Sequence, residues 1–300
     1  MPAASPVAVV TGATGGLGYA TAAGLARAGA HVVLTGRNPA KGAAALARLR
    51  RDVPGAQSEF ALLDVASLPA VAAFADRIAA DHPAIGILVN NAGLMAPPRR
   101  QVTAEGFELQ FATNYLGHFA LTARLLPALI AGRARVVQVS SVAHRRAAMA
   151  WDDLQGARHF NTWALYGQSK LAMLIFAVEL ARRAAAQGWP LTSIAAHPGW
   201  AVTDIILNGP AAGASGLREK VMQAGFRLFG QSAQDGARPI VYAATAPEAQ
   251  AGRYYGPAGF QELRGPPAPA RIMPQAADPA AGQRLWSISE GLAGLTFGAG

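Results

Sequence analysis

Short apolar runs and longer amphipathic segments alternate along this chain. Apolar runs rich in β-branched residues predict buried strands, which lie near 7–11, 31–35, 57–63, 85–89, 134–140, 191–196 and 253–255. The segments between them predict helices, at 17–28, 39–51, 67–81, 104–131, 163–186 and 234–245. Strands that alternate with helices are typical of a parallel sheet covered by helices on both faces. We therefore expect one α/β domain over residues 1–300, built on a doubly wound parallel sheet of seven strands.

Two segments interrupt this alternation. Residues 204–233 are too long for a simple connection and predict a substrate lid or an added helical hairpin, with apolar positions at Val221, Phe226, Leu228 and Phe229. Residues 256–282 carry six prolines and predict an extended surface segment, the first part of a C-terminal extension over 256–300. We expect that extension to end in an amphipathic helix, because Leu285, Ile288, Ser289 and Leu292 have the spacing of one helix face and three of them are apolar.

The composition narrows the classes of partner. Lys and Arg number 26 against 17 Asp and Glu, a net charge of +9, but no long basic run or aromatic ladder predicts nucleic-acid binding. The chain has no cysteine, which excludes disulfides and thiolate metal sites and fits a reducing cytoplasm. No spacing of His, Asp and Glu predicts a metal site. The longest apolar helical run noted, at 119–131, contains Arg124 and Pro127 and is too short for a bilayer, so we expect a cytoplasmic protein without a membrane span.

A glycine-rich segment follows the first predicted strand. Gly12, Gly16 and Gly18 lie where that strand passes into the next predicted helix, which is the context of a dinucleotide-binding loop. Glycines let a ligand approach the backbone closely, and a helix start offers free N–H groups and a partial positive charge to a pyrophosphate. The spacing is G-x-x-x-G-x-G rather than the commoner G-x-G-x-x-G. A plain glycine-rich turn is the alternative interpretation.

Tyr166 and Lys170 are four residues apart and share one face of the helix predicted over 163–186. A neighbouring ammonium favours the phenolate, so we expect Lys170 to lower the pKa of Tyr166 and to suit it to acid–base chemistry. The pair alone is weak evidence, because Tyr and Lys meet at this spacing by chance in many helices. It gains weight from the glycine-rich segment far upstream.

The order of these motifs resembles the short-chain dehydrogenase/reductase family, in its classical type. That family carries a T-G-x-x-x-G-x-G loop, a D-V pair, an N-N-A-G run, an isolated Asn, a Ser, a Y-x-x-x-K pair and a P-G motif. The matching residues here are Thr11 to Gly18, Asp64-Val65, Asn90 to Gly93, Asn114, Ser140-Ser141, Tyr166 with Lys170, and Pro198-Gly199 with Thr203. The resemblance covers residues 7 to about 260 and implies a Rossmann-type fold. The long spacing from Ser141 to Tyr166 and the C-terminal residues resemble the retinol-dehydrogenase-like branch.

The resemblance implies a nicotinamide dinucleotide cofactor. Its implied contacts are Gly12, Thr14, Gly15, Gly16, Leu17, Gly18, Asp64, Val65, Asn91, Ala92, Gly93, Tyr166, Lys170, Pro198, Gly199 and Thr203. An acidic residue after the second strand would bind the ribose of NAD, but Thr35-Gly36-Arg37-Asn38 has no carboxylate there. Arg37 offers a planar fork of donors to a 2′-phosphate, and Lys41 adds a second charge. We therefore expect NADP(H) rather than NAD(H); a plain surface role for Arg37 is the alternative.

The resemblance also implies a catalytic set, Asn114, Ser141, Tyr166 and Lys170. Hydride transfer to a carbonyl leaves negative charge on oxygen, which Tyr166 would protonate, acting as the base in the reverse direction. Lys170 would also hydrogen-bond the nicotinamide ribose, and Asn114 would help to hold a proton-relay water. Strand alternation points Ser140 and Ser141 to opposite faces, and the family pattern favours Ser141 as the group that polarises the carbonyl.

We therefore expect an NADP(H)-dependent oxidoreductase that acts on a carbonyl or alcohol group. The apolar lid positions and Trp200 predict a lipophilic small-molecule substrate. One alternative is a catalytically silent NADP(H)-binding sensor, which the intact catalytic set disfavours. Another is light-driven protochlorophyllide reduction, which the absence of cysteine disfavours. Because the family often assembles through the helices at 104–131 and 163–186, a homodimer or homotetramer is expected.

Overall fold

One sheet of eight strands organises residues 5–200 and 231–298, which are the residues that the computed structural model describes. The strands are β1 (Val7–Val10), β2 (His31–Gly36), β3 (Ser58–Leu62), β4 (Ile87–Asn90), β5 (Arg135–Val139), β6 (Thr192–Ala196), β7 (Tyr254–Pro257) and β8 (Pro267–Pro269). Their order across the sheet is β3-β2-β1-β4-β5-β6-β7-β8. The first seven run parallel, and β8 pairs with β7 antiparallel.

Helices connect the parallel strands. They are α1 (Gly16–Arg27), α2 (Pro39–Asp52), α3 (Leu68–Asp81), α4 (Leu109–Phe111), α5 (Gly117–Arg124), α6 (Leu126–Ala131), α7 (Thr162–Gln187), α8 (Ala233–Thr245), α9 (Pro274–Ala277) and α10 (Pro279–Ala293). A π-helical turn (Ala112–Leu116) joins α4 to α5, and a 3₁₀ helix (Val142–Arg146) follows β5. Side-chain N-caps on Asn38, Ser67 and Asn161 begin α2, α3 and α7, because each accepts a bond from an N–H that the first turn leaves unpaired.

The core lies in two layers, one on each face of the sheet. Successive strand residues point to opposite faces, so Val9 packs under α3, α5 and α7 while Val10 packs under α1, α2 and α8. The inner parallel strands β1, β2 and β4 to β6 are buried on both faces, so their sequences are mostly apolar, whereas the edge strand β3 is only partly buried. The predicted doubly wound, Rossmann-type α/β fold is thereby confirmed.

The sheet has one strand more than the sequence predicts. We expected 256–282 to be an extended surface segment, yet it supplies β8 and the short helix α9. Pro267 and Pro269 begin and end β8, which lies at the edge of the sheet, where a missing N–H is tolerated. The backbone of the flanking residues completes the pairing, since Ala258 N–H donates to Pro266 at 2.8 Å and Ala270 N–H donates to Tyr254 at 2.8 Å.

The predicted closing helix is α10, and it covers α5 and α7. Its Trp286 ring lies 5.2 Å from the Phe119 ring and 5.8 Å from the Phe176 ring, measured between centroids. Ser289 shares a hydrogen bond of 2.7 Å with the Tyr115 hydroxyl. The C-terminal extension thus covers part of the surface of the helices through which the sequence predicts subunit assembly.

Helix α7 is the one helix among the described residues that is long and apolar enough to cross a membrane by length and composition. The sequence-based prediction, in which 119–131 is the longest apolar helical run, is therefore wrong on this point. Within α7 the apolar window is 83% buried inside the fold, as expected for a core helix. Of the predicted lid, 204–233, only residues 231–233 are among the described residues. All four of its predicted apolar positions lie outside them.

Candidate active site

A cleft of about 550 Å³ opens at the carboxyl ends of the parallel strands. It lies where β1 has β2 on one side and β4 on the other, so the connections leave in opposite directions and a crevice forms between them. Twelve predicted cofactor contacts line it: Gly12, Thr14, Gly15, Gly16, Leu17, Gly18, Arg37, Asp64, Val65, Asn91, Ala92 and Gly93.

The glycines of this cleft are required by its geometry. Gly12 has a φ of +65°, and a Cβ built on it would lie 2.9 Å from the Cα of Ala92. A Cβ on Gly18 would overlap the Gly12 carbonyl oxygen and come within 2.6 Å of Asn91 Nδ2. Gly15 caps α1 without a side-chain hydrogen bond, so the N–H groups of the first turn face the cleft uncapped. This backbone cradle suits the phosphates of a dinucleotide.

Thr11 joins the glycine loop to the Asn91 loop. Its Oγ1 accepts hydrogen bonds from the backbone N–H groups of Asn91, at 2.8 Å, and Ala92, at 2.9 Å. Asn91 Nδ2 donates in return to the Thr11 carbonyl at 2.7 Å. These bonds fix the spacing of the two walls of the cleft.

His118, which the sequence analysis left unassigned, connects Thr11 to Asn114. His118 Nε2 lies 2.8 Å from Thr11 Oγ1, and its Nδ1 lies 3.1 Å from the Asn114 carbonyl oxygen. Burial lowers the pKa of His118 to about 3, so the imidazole is neutral. The Asn114 carbonyl can only accept, so the proton of the neutral imidazole lies on Nδ1. His118 Nε2 then accepts from the Thr11 hydroxyl, whose other acceptor, the Val89 carbonyl, lies farther away at 3.3 Å. The four-residue spacing from Asn114 was the only sequence signal of this link.

Asn114 is buried within the π-helical turn. Its Oδ1 accepts from Leu94 N–H at 2.8 Å, while its Nδ2 donates to the Leu94 carbonyl at 3.0 Å and to Ser169 Oγ at 2.9 Å. A Cβ built on Gly93 would lie 3.1 Å from Asn114 Oδ1 and 3.5 Å from Lys170 Nζ. The predicted fourth member of the set therefore lies directly behind the cleft wall, near the lysine.

A second cavity, of about 420 Å³, continues from the first. Leu17, Asn91 and Met95 line both cavities. The second also receives the other predicted catalytic and nicotinamide-side residues: Ser141, Tyr166, Lys170, Pro198 and Gly199. Residues from the ends of β5, α7 and β6 thus meet beside the glycine-rich cleft.

The two candidate serines have different environments. Ser140 is buried and its Oγ donates to the Lys170 carbonyl at 2.7 Å, which ties β5 to α7. Ser141 lines the second cavity, and its side chain hydrogen-bonds Tyr166. The arrangement favours Ser141 as the hydroxyl available to a ligand, in line with the sequence-based choice.

Burial dominates the electrostatics of the Tyr166–Lys170 pair. It raises the pKa of Tyr166, and the hydrogen bond with Ser141 opposes that rise. It lowers the pKa of Lys170 to about 8. Lys170 Nζ donates to the Val139 carbonyl at 3.1 Å. The expected lowering of the Tyr166 pKa by Lys170 is not found in this structure, because burial of the phenol outweighs the opposing hydrogen bond with Ser141.

Arg37 and Lys41 line the first cavity but not the second. Both are exposed and line the cleft at the end of β2 and the start of α2. Asn38, between them, caps α2 through a 3.0 Å bond from Lys41 N–H. Asp64 accepts from Ala66 N–H at 3.0 Å and so holds the turn after β3.

Hydrogen bonds to His197 and Leu263 hold the Pro198-Gly199 segment in place. Gly199 has a φ of +65°, and its N–H donates to His197 Nδ1 at 3.1 Å. That bond leaves the proton of His197 on Nε2, which lies 2.9 Å from Glu262 Oε2. Trp200 N–H donates to the Leu263 carbonyl at 2.8 Å. The predicted contact Thr203 lies outside the described residues.

The fold and the cleft define a dinucleotide-binding α/β protein, and comparison with known proteins gives the family. A family model described as short chain dehydrogenase matches residues 6–208. The polyprenol dehydrogenase of Mus musculus is 40% identical over 260 residues, which cover 84% of this chain and 76% of the relative. Retinol dehydrogenase 13 of Homo sapiens is 38% identical over 293 residues, which cover 96% and 84%.

The fold of this chain is also similar to those of solved protein structures. A crystal structure of an uncharacterised protein from Mycobacterium paratuberculosis has a TM-score of 0.77 and 36% identity, and the match covers 98% of this chain and 97% of that one. An actinorhodin polyketide ketoreductase solved with NADPH shares the fold, with a TM-score of 0.64 and 24% identity, over 83% of this chain and 94% of that one.

This chain belongs to the short-chain dehydrogenase family, and among its relatives are those of the retinol-dehydrogenase-like branch. It is therefore an oxidoreductase, as the resemblance of its motifs predicts.

Proposed function

We propose that this protein is an NADP(H)-dependent oxidoreductase that interconverts a carbonyl and an alcohol on a lipophilic substrate. The observation that carries the proposal is the meeting of Ser141, Tyr166 and Lys170 in one cavity continuous with the glycine-rich cleft. A substrate held there would face hydroxyl donors on one side and the cofactor cleft on the other.

The residues of the second cavity fit the chemistry of a carbonyl. When bound, the nicotinamide cofactor supplies or accepts the hydride. Ser141 donates a hydrogen bond to the carbonyl oxygen and so stabilises the charge that develops there. Tyr166 gives its proton to that oxygen, or removes one from the alcohol in the reverse direction. Lys170, as an ammonium, favours the phenolate that Tyr166 becomes after proton transfer.

The charge at the end of β2 supports a preference for the phosphorylated cofactor. Arg37 and Lys41 line the cleft, and no carboxylate follows β2 to bind an unsubstituted ribose. A guanidinium can hold a phosphate through two parallel N–H bonds. We therefore assign Arg37 to the 2′-phosphate of NADP(H).

The lining of the second cavity supports an apolar substrate. It presents Leu17, Met95, Val142, Trp163, Trp200 and Leu263. The relatives named above are dehydrogenases of polyprenol and of retinol, both long apolar alcohols. We propose the same substrate class for this chain, in the form of a primary alcohol or its aldehyde.

The first experiment measures oxidation of NADPH and NADH with aldehydes and ketones of rising chain length and ring size. We expect NADPH to be preferred and kcat/KM to rise with the apolar size of the substrate. Saturable NADPH binding without turnover on any of these substrates would contradict the enzymatic proposal and favour a cofactor-binding protein.

The cofactor assignment is tested with Arg37→Asp. A charge-assisted hydrogen bond contributes about 1.5–3 kcal/mol, so we expect kcat/KM for NADPH to fall by about tenfold to a hundredfold relative to that for NADH. Arg124→Asp is the matched control, because Arg124 is exposed on α5 and lines neither cavity. An equal loss for both cofactors in Arg37→Asp would contradict the assignment to the 2′-phosphate.

A further inference from the structure

Three polar side chains converge at the end of the sheet opposite to the cofactor cleft. His31 begins β2, Glu59 is the second residue of β3, and His82 caps the C-terminus of α3. Glu59 pairs with Val33, which is two residues after His31, so both side chains lie on the face of the sheet that α3 covers. The register of two strands and the length of one helix bring together residues that are far apart in sequence, which is why their spacing gave no signal.

The three side chains present their ligand atoms to one another. Glu59 Oε1 lies 2.6 Å from His82 Nε2 and 3.5 Å from His31 Nε2. All three ligand atoms lie within 4.8 Å of one another. The two imidazole rings meet edge to face, with centroids 5.2 Å apart. The side chains are 25%, 42% and 15% exposed for His31, Glu59 and His82, so an ion can reach them from solvent.

We propose that His31, Glu59 and His82 form a binding site for a divalent transition metal ion, with Zn²⁺ as the best match. Two imidazoles and one carboxylate are a known protein ligand set for zinc, and water fills the fourth position. Zinc–ligand bonds of about 2.0–2.2 Å in a tetrahedron place neighbouring ligand atoms about 3.3 Å apart. The two separations from Glu59, 2.6 and 3.5 Å, each differ from that value by less than about 1 Å, and the two imidazole nitrogens lie within 4.8 Å of each other, so small side-chain rotations would admit the ion.

The ligand chemistry favours this ion over the hard cations. Ca²⁺ and Mg²⁺ take oxygen ligands, whereas imidazole nitrogens suit zinc and its first-row neighbours. The arrangement also differs from a simple ion pair, because two imidazole nitrogens point at the same carboxylate oxygen. A single cation between them would bind all three lone pairs at once.

The position of the site indicates a structural role. It joins the edge strand β3 to β2 and to the end of α3, at the amino ends of the strands, away from the cavities that hold Tyr166 and Arg37. Metal binding would therefore stabilise this edge of the sheet without entering the reaction. At a free metal concentration 100-fold above Kd, mass action predicts a rise in Tm of about 4 °C.

The test titrates chelator-treated, tag-free protein with Zn²⁺ and with Co²⁺. We expect saturation at one equivalent, an absorption spectrum of tetrahedral Co²⁺, and the rise in Tm with Zn²⁺. His82→Gln and Glu59→Gln should each abolish these responses. His159→Gln is the matched control, because His159 is exposed and lies outside the cluster, and it should respond like the unaltered chain.

Melting without metal identifies any variant that fails to fold, and His31→Gln then replaces it. The absence of saturable binding to the unaltered chain would overturn the proposal. Binding that persists unchanged in the folded variants would overturn it as well, since the ion would then be held elsewhere.

Discussion

Lys170 is a buried ammonium whose charge depends on pH within the working range of an enzyme. Burial lowers its pKa to about 8, and its Nζ donates to the Val139 carbonyl. Below that pH the ammonium is present to favour the Tyr166 phenolate, and above it the group becomes neutral. Burial raises the pKa of Tyr166, so the phenol stays protonated while Lys170 titrates.

The predicted consequence is a pH profile with one decline. We expect kcat/KM for carbonyl reduction to fall as pH rises through about 8, since kcat/KM reports groups of the free enzyme. The free energy of unfolding changes in the opposite direction. The pKa of Lys170 is lower in the folded chain than in the unfolded chain, so the unfolded chain binds more protons above about pH 8. This group therefore raises the free energy of unfolding as pH increases from about 8 to about 10.4. Initial rates across that range test the prediction, and a flat profile would contradict it.

At the residue scale, motif spacing predicts residues with candidate acid–base chemistry but not the residues that hold them in place. Tyr166, Lys170 and Ser141 follow from order and spacing, and the structure places them in one cavity. The link from Thr11 through His118 to Asn114 did not follow, because it depends on a contact between the loop after β1 and helix α5, which are 107 residues apart. The catalytic roles of Asn114, Ser141, Tyr166 and Lys170 stay predictions.

At the scale of elements, the glycine loop and the start of α1 form the part of the cleft that we assign to the cofactor phosphates. The strands and helices were predictable because a parallel sheet buried on both faces needs apolar runs, and its connecting helices need amphipathic ones. Strand β8 was not predictable, because backbone hydrogen bonds at a proline-rich edge decide its pairing with β7. The π-helical turn at Asn114 likewise leaves no mark on the apolar pattern.

Two glycine-to-alanine changes test which glycines the fold requires. Gly18→Ala should destabilise the protein by about 1–3 kcal/mol and weaken cofactor binding, because its methyl group would meet the Gly12 carbonyl. Gly291→Ala should stabilise it by about 0.5–1 kcal/mol, because Gly291 is exposed on α10 with nothing within 4 Å of the added Cβ. Thermal melting and fluorescence titration with NADPH measure both. Equal effects of the two changes would contradict the close approach at Gly18.

At the scale of the whole molecule, the C-terminal helix completes the core. Trp286 is 2% exposed, and its ring lies 4.4 Å from that of Phe297 and under the guanidinium of Arg183 at 4.2 Å. Because α10 covers α5 and α7, a homodimer or homotetramer built on those helices would have to use other faces of them. That assembly and a cytoplasmic location stay predictions from the sequence.

Removal of the Trp286 side chain should destabilise the protein. We expect Trp286→Ala to lower the free energy of unfolding by about 3–5 kcal/mol, as for other large aromatic residues removed from a core. Trp286→Phe should lose much less, because it keeps a ring and removes an indole N–H that has no hydrogen-bond partner among the described residues. Denaturant unfolding distinguishes the two, and similar losses would show that the ring packing is not what anchors α10.

We propose that Tyr166 exchanges the proton, whereas most of the cofactor affinity comes from the residues that line the glycine-rich cleft. The most direct measurement is kcat at saturating NADPH for Tyr166→Phe beside Tyr255→Phe, with NADPH affinity measured for both. Tyr255 is also buried, but its hydroxyl bonds Gln250 N–H at 3.1 Å and lines neither cavity. We expect Tyr166→Phe to lose at least about a hundredfold in kcat with NADPH binding retained, and Tyr255→Phe to turn over like the unaltered protein. Turnover by Tyr166→Phe at the unaltered rate would contradict a role for Tyr166 in proton transfer.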